Sequence, residues 1–153
     1  MKRVKVALDV NIPPRIVRML NTGFGTQGFE FLYEREFCSA SAEDEFWAAA
    51  FARFGGAIVI SADKNIAKRP HQIMAFKDNG LVCFFFESKW AQMDTAFKAA
   101  HIVYWWPRIQ SRIESSKRGD CWWVPMPIAP AEFRAVQIPT SAQDRPATRS
   151  KVI

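Results

Sequence analysis

The stretch VKVALDVNIPPRIVRML, residues 4–20, contains a strand, a turn and the start of a helix in seventeen residues. The apolar run Val4 to Leu8 predicts a strand, and Ile12, Ile16, Val17 and Leu20 recur at the spacing of one helical face, with Arg15 and Arg18 turned away. Between them lies D-V-N-I-P-P. Asn11 ahead of Pro13 and Pro14 has the form of an ordinary helix start, a capping side chain and then rings tolerated in the first turn. Capping is therefore preferred over catalysis for Asn11. Asp9 is left over: a carboxylate where a buried strand ends, either turn chemistry or a ligand.

Strand and helix patterns alternate outward from this point. FEFL (residues 29–32) predicts a second strand. SAEDEFWAAAFARF (41–54) predicts a helix closed by Gly55 and Gly56, and AIVIS (57–61) a short buried strand. A basic loop and a short helix around HQIMAFKDNG (71–80) lead into LVCFFF (81–86), the most apolar strand candidate. Trp90, Met93, Phe97, His101, Tyr104 and Trp105 then share one helical stripe, interrupted or kinked near Pro107 and resuming through Ile109 and Ile113. CWWVP (121–125) is the last predicted strand. This alternation predicts an α/β fold with a mostly parallel central sheet and helices on both faces. Prolines at 127, 130, 139 and 146 punctuate a polar stretch, so the expected division is a domain over residues 1–126 and a C-terminal tail over 127–153.

The totals narrow the class. A chain of 153 residues, 49% hydrophobic and 14% aromatic, is expected to fold as one domain. No apolar run approaches the roughly 18 residues of a membrane span, and the first residues turn acidic too soon for a secretory signal. Cys38, Cys83 and Cys121 lie far apart without metal-type spacing, which favours a reducing cytoplasm. The net charge of +6 favours polyanionic partners.

In open parallel sheets the ligand crevice lies beyond the carboxyl ends of the strands. Three acidic sites fall there: Asp9 after the first strand, Glu43, Asp44 and Glu45 opening the helix after the second, and Asp63 two residues past the third. Gathered carboxylates repel one another unless a cation sits among them. Hard oxygen donors without cysteine or histidine point to Mg²⁺ or Mn²⁺, ions suited to phosphodiester hydrolysis. Projection from the apolar stripe of Phe46, Trp47, Ala50, Phe51 and Phe54, weighed with position in the first turn, ranks Asp44 ahead of Glu43 and Glu45. The competing reading is helix-start chemistry: acids that offset the macrodipole, and Ser41 with Asp44 as a capping box.

The order LDVNIPP, DEFW, ISADKNI resembles the PIN-like domains, specifically the compact branch that includes VapC-type toxin nucleases. Asp9 and Asn11 match its first motif, Asp44 with Trp47 the second, and Ser61 with Asp63 the third; alignment by distance to Asp63 places Glu45 in the second slot instead. The resemblance implies an α/β/α sandwich and Mg²⁺- or Mn²⁺-dependent RNA cleavage, often restrained by an antitoxin protein. Its catalytic set would be Asp9, Asp44 and Asp63, with Glu43 and Glu45 as further metal candidates. Two departures stand out. None of Glu30, Glu34 and Glu36 clearly fills the further glutamate position between the first two motifs, and Asn65 stands where some relatives carry an aspartate.

Lys64, Lys68, Arg69 and His71 follow Asp63, and the first three, with Asn11, are the candidate RNA contacts. Trp105–Trp106 and Trp122–Trp123 are candidates for base stacking, with one ring of each pair expected in the core. His101 is expected to be a buried, hydrogen-bonded histidine. The leading function is a metal-dependent endoribonuclease, the toxin of a toxin–antitoxin pair, with homodimerisation plausible. The alternative is a catalytically weakened PIN-like module that binds RNA or protein. A receiver-like phosphoacceptor fits poorly, because Asp9 has no acidic neighbour and Pro125-Met126-Pro127 stands where a lysine is needed.

Overall fold

The computed structural model describes residues 2–38 and 44–138. Its elements alternate as β1 (Val4–Leu8), α1 (Pro14–Phe24), β2 (Phe29–Tyr33), α2 (Asp44–Arg53), β3 (Gly56–Ser61), α3 (Pro70–Asp78), β4 (Val82–Phe86), α4 (Thr95–Ser115), β5 (Cys121–Val124) and β6 (Arg134–Ala135). The sheet order is β2-β1-β3-β4-β5-β6. All neighbours pair parallel except β6, which runs antiparallel to β5. The carboxyl ends of β1 to β5 therefore share one rim.

Alternate side chains of each strand face opposite layers. Val6, Leu8, Ile58, Ile60, Phe84 and Phe86 pack with Ile16, Val17 and Leu20 of α1 and with Ile102, Trp105 and Trp106 of α4. Ala7, Val59, Cys83 and Phe85 pack on the other face with Trp47 and Phe51 of α2 and Ile73 and Phe76 of α3. The result is an α/β/α sandwich. Both faces of the central strands are covered, which is why VCFFF is fully buried along its length. Gly55 and Gly56 make the α2–β3 joint: Gly55 is left-handed (φ 92°), and a Cβ on Gly56 would meet the Phe51 ring at 2.4 Å.

Three local expectations change. Trp90 and Met93 are not on α4: Trp90 lies in a separate 3-10 turn (Ser88–Gln92), and Asp94 caps the new helix by accepting from the Phe97 N–H at 2.8 Å. Helix α4 also runs through Pro107 without interruption. Pro107 and Val103, whose carbonyl loses its partner, are both on the exposed side, where water replaces the missing donor. Finally, ordered structure continues beyond Pro127: β6 pairs with β5, and Phe133 packs edge-on against Phe84 at 5.8 Å and Trp105 at 5.4 Å. Residues 139–153 of the expected tail lie outside the described residues.

Candidate functional site

Two segments at the rim have the same pattern, DVNI (residues 9–12) and DKNI (63–66), and fold alike. In the first, the Asn11 N–H donates to Asp9 Oδ1 at 3.1 Å and the Ile12 N–H to the Asp9 carbonyl at 3.0 Å. In the second, the Asn65 N–H donates to Asp63 Oδ1 at 2.9 Å and the Ile66 N–H to the Asp63 carbonyl at 3.1 Å. Each aspartate thus closes its own Asx turn, and each isoleucine is driven into the core. Turn chemistry and a functional carboxylate are not exclusive here.

Ser61, the last residue of β3, joins the two turns. Its hydroxyl donates to Asp9 Oδ2 at 2.5 Å and accepts the Asp63 N–H at 3.2 Å. The Ala62 N–H adds a bond to Asp9 Oδ1 at 3.3 Å, and the Asn11 side-chain amide reaches Asp9 Oδ2 at 3.5 Å. Asn11 is therefore not the helix cap. Pro13 occupies the N-cap position without a side-chain bond, and the Asn11 side chain turns back to the carboxylate instead.

Asp9 is 5% exposed, and among the described residues the donors it meets are neutral. Burial pushes its carboxyl up to about 6, although the bonds from Ser61, Ala62 and Asn11 pull the other way. A buried carboxylate so placed holds its negative charge at a cost that a nearby cation would relieve. Asp63 is treated differently: Arg69 Nη1 lies 3.0 Å from its Oδ2. Asp63, Asn11, Lys64, Asn65 and Arg69 line an open hollow of about 450 Å³. A cavity of about 430 Å³ also lies between α4 and the returning segment, walled by Arg108, Arg112 and Phe133, so volume alone does not select the site. The acids do.

Lys64, Lys68, Arg69 and His71 are all exposed beside or just beyond Asp63. Asp44 and Glu45 begin α2, but their side chains, and the whole of Glu43 and Ser41, lie outside what the structure describes; so does the proposed capping box. One carboxylate is newly placed. Glu34, in the 3-10 turn after β2, accepts the Val10 N–H at 3.3 Å through Oε1, which brings it to the residue next to Asp9. Only the pairing of β2 with β1 makes that neighbour visible.

Among the described residues, no three His, Cys, Asp or Glu side chains form a group able to hold a metal. The donor chemistry nevertheless fits a hard divalent ion. Asp9 and Asp63 offer carboxylate oxygens, Asp9 lacks a cationic partner among its bonds, and its longest contact, from Asn11 at 3.5 Å, is the easiest to displace.

A family model described as a PIN like domain matches residues 4–88, more than half of the chain. The chain belongs to the PIN-like domain family. No curated protein and no solved structure matches it. The match spans β1 to β4 of the PIN-like domain and contains both Asx turns. PIN-like domains are typically nucleases and usually use divalent metals, so this is a nuclease-type fold.

His101 and the Trp105–Trp106 pair are part of the interior. His101 is fully buried; the Trp90 indole N–H donates to its Nδ1 at 3.2 Å, and its Nε2 donates to the Pro125 carbonyl at 2.8 Å. Burial lowers its basicity and keeps it neutral. Trp105 and Trp106 are both inside, not one of the two, so neither stacks on a base; Trp122 and Trp123 are both half-buried. All three cysteines are free. Among the described residues no helix is long and apolar enough to cross a membrane.

Proposed function

We propose that this PIN-like domain is a Mg²⁺- or Mn²⁺-dependent endoribonuclease. The observation that carries the reading is Asp9, a buried carboxylate raised to about 6 at the carboxyl end of β1, tied through Ser61 to Asp63 at the next strand end. Asp9 and Asp63 would hold the ion, with Asp44, Glu45 or Glu43 as the third carboxylate. When bound, such an ion orients the phosphate, makes water a better nucleophile and neutralises the departing oxygen. Ser61 fixes the rotamer of Asp9, and the Asx turns fix the backbone that presents both acids. Lys64 and Lys68 would attract the RNA phosphates, and Arg69, paired with Asp63, would contact the phosphate under attack.

The toxin role within the VapC-type branch rests on the three short motifs. It brings an antitoxin partner, a cytoplasmic location and a plausible homodimer as parts of the same proposal. A second reading, a weakened PIN-like module that binds without cutting, is favoured by the Arg69–Asp63 ion pair, since a protein cation already holds one of the two acids.

Cleavage of single-stranded RNA with Mn²⁺ and with EDTA separates the two readings. The nuclease reading expects Mn²⁺-dependent cleavage that falls more than about 100-fold in both Asp9→Asn and Asp63→Asn, with circular dichroism unchanged. Undiminished cleavage in both variants would remove the mechanism; RNA binding with no cleavage by the wild type would establish the second reading.

A further inference from the structure

A second groove of about 400 Å³ opens beside the acidic hollow, and Lys64 lines both. It lies at the carboxyl-end rim of the sheet, beside β4 and β5. Its walls carry Lys64 and Lys68 from the loop after β3, Glu87 after β4, Trp123 from β5 and Arg134 from β6. Trp123 and Arg134 lie outside the segment matched by the family model, so this wall is supplied by the C-terminal part of the chain.

We infer that this groove holds one unpaired nucleotide of a single-stranded RNA, its base stacked on Trp123 and its flanking phosphates on Lys64 and Lys68, next to the phosphate that is cut. The occupant follows from the chemistry of the walls. Trp123 is half-buried, with Phe85 set edge-on behind it at 5.9 Å and 65°, so the indole is held in place yet reachable from the groove. Its N–H makes no hydrogen bond to the described residues; the N–H groups of Trp90, Trp105 and Trp122 donate to His101, the Pro127 carbonyl and Ser116, and that of Trp106, also unpartnered, is shut in the core, so the N–H of Trp123 is the unpartnered one that borders a groove. Three cations face one carboxylate, and that carboxylate, Glu87, is already 3.4 Å from Arg134. Lys64 and Lys68 are exposed and carry the excess positive charge. An aromatic platform bordered by lysines is the combination that binds single-stranded nucleic acid. A duplex keeps its bases stacked on one another and cannot offer a face to the ring.

The groove rests on the nuclease reading for its meaning but is tested apart from it. Binding of a short fluorescein-labelled single-stranded RNA is followed by anisotropy in EDTA, where cleavage plays no part. The wild type is expected to bind this RNA and to prefer it to a duplex of the same sequence. Trp123→Ala is expected to weaken binding about tenfold or more, and Trp123→Phe to keep most of it. Lys64→Glu with Lys68→Glu, on exposed positions that leave folding intact, is expected to weaken binding and flatten its salt dependence. Wild-type protein that ignores the RNA, equal affinity for the duplex, or a folded Trp123→Ala protein that binds normally each overturns the groove. If Trp123→Ala does not fold, a normal affinity in the double lysine variant overturns it. Cleavage with Mn²⁺, measured separately on the wild type and Asp9→Asn, tests the nuclease reading alone.

Discussion

DVNI and DKNI have three residues in common and build the same turn, yet their aspartates meet opposite electrostatic treatment. Asp63 has a guanidinium at 3.0 Å; Asp9, 5% exposed, has a serine hydroxyl, two backbone N–H groups and a distant amide. A turn requires only a short side chain that accepts the N–H two residues on, and asparagine performs that role as well as aspartate. The charge on Asp9 is therefore surplus to the turn and harmful to the metal-free fold. His101 gives the contrasting outcome for a buried titratable group: neutral, and bonded at both ring nitrogens. A group kept only for the fold settles into its uncharged form. Asp9 is held near the edge of ionisation at a strand end, as expected of a site tuned for function rather than stability.

The largest expected effect breaks the asymmetry at Asp9. Its carboxyl titrates near 6 when folded and near the ordinary 3.8 when unfolded. Below about pH 4 both states hold the proton. Between about 4 and 6 the folded state keeps a proton that the unfolded state has lost, so stability falls as pH rises, and the loss is complete above about 6. A shift of this size corresponds to about 3 kcal/mol for a fully buried group. Asp9→Asn does not titrate, so its stability relative to wild type should increase by about that amount between pH 4 and pH 7 in the absence of metal. Urea denaturation at the two pH values measures the difference, and a difference that does not change with pH would show that Asp9 carries no such burden.

Ser61→Ala comes next. It removes a 2.5 Å charge-assisted bond from a buried carboxylate, and with it the link to the Asp63 N–H, for an expected loss of about 2 kcal/mol at neutral pH. Because the Ser61 bond lowers the Asp9 carboxyl, its loss should move the pH window upward. Ser61→Thr, which keeps the hydroxyl, should restore most of the stability; no rescue would mean that packing, not the bond, was lost.

The third effect addresses the cation that Asp63 has and Asp9 lacks. Arg69→Ala removes a positive charge from the place a divalent ion would approach, so Mn²⁺ should bind up to about tenfold more tightly by calorimetry at low salt. The gain should shrink with added salt, because the Arg69 side chain is 45% exposed and screened. The same variant should bind RNA more weakly, having lost a phosphate contact. An unchanged Mn²⁺ affinity would mean that the ion pair and the metal do not compete.

Most of the fold was legible because both faces of the sheet are buried: the short, strongly apolar runs could be nothing but interior strands, and the helical stripes between them matched. Asp9 and Asp63 were legible by their places at strand ends; the side chains of residues 43–45 lie outside the described residues. What escaped depends on neighbours in space. Glu34 reaches Val10 only because β2 pairs with β1, and two-residue β6, with both residues exposed, has no apolar signature. Trp90 and Met93 fitted the helical period of α4, but the N-cap at Asp94 outweighs periodicity. The repeated D-x-N-I was present in the sequence, and what hid it was the reading of Asn11 as a cap. With Pro13 in the N-cap position, that side chain was free to turn toward Asp9.

The smallest effect sharpens the same comparison at its asparagines. Both turns use the backbone N–H of the asparagine, which alanine retains, so Asn11→Ala and Asn65→Ala should each cost less than about 1 kcal/mol in thermal denaturation. The two differ in their side chains. That of Asn11 reaches Asp9 Oδ2 at 3.5 Å, whereas that of Asn65 makes no hydrogen bond among the described residues. Asn11→Ala should therefore move the pH window of Asp9 slightly upward, and Asn65→Ala should leave it in place. Asn65→Asp is the informative third variant: it adds a carboxylate to the turn of Asp63, where Arg69 already supplies a cation. If a carboxylate at the rim is tolerated when a cation accompanies it, this change should cost little stability and should tighten Mn²⁺ binding. Equal destabilisation by Asn65→Asp and by an aspartate at Asn11 would show that Arg69 does not set the two turns apart.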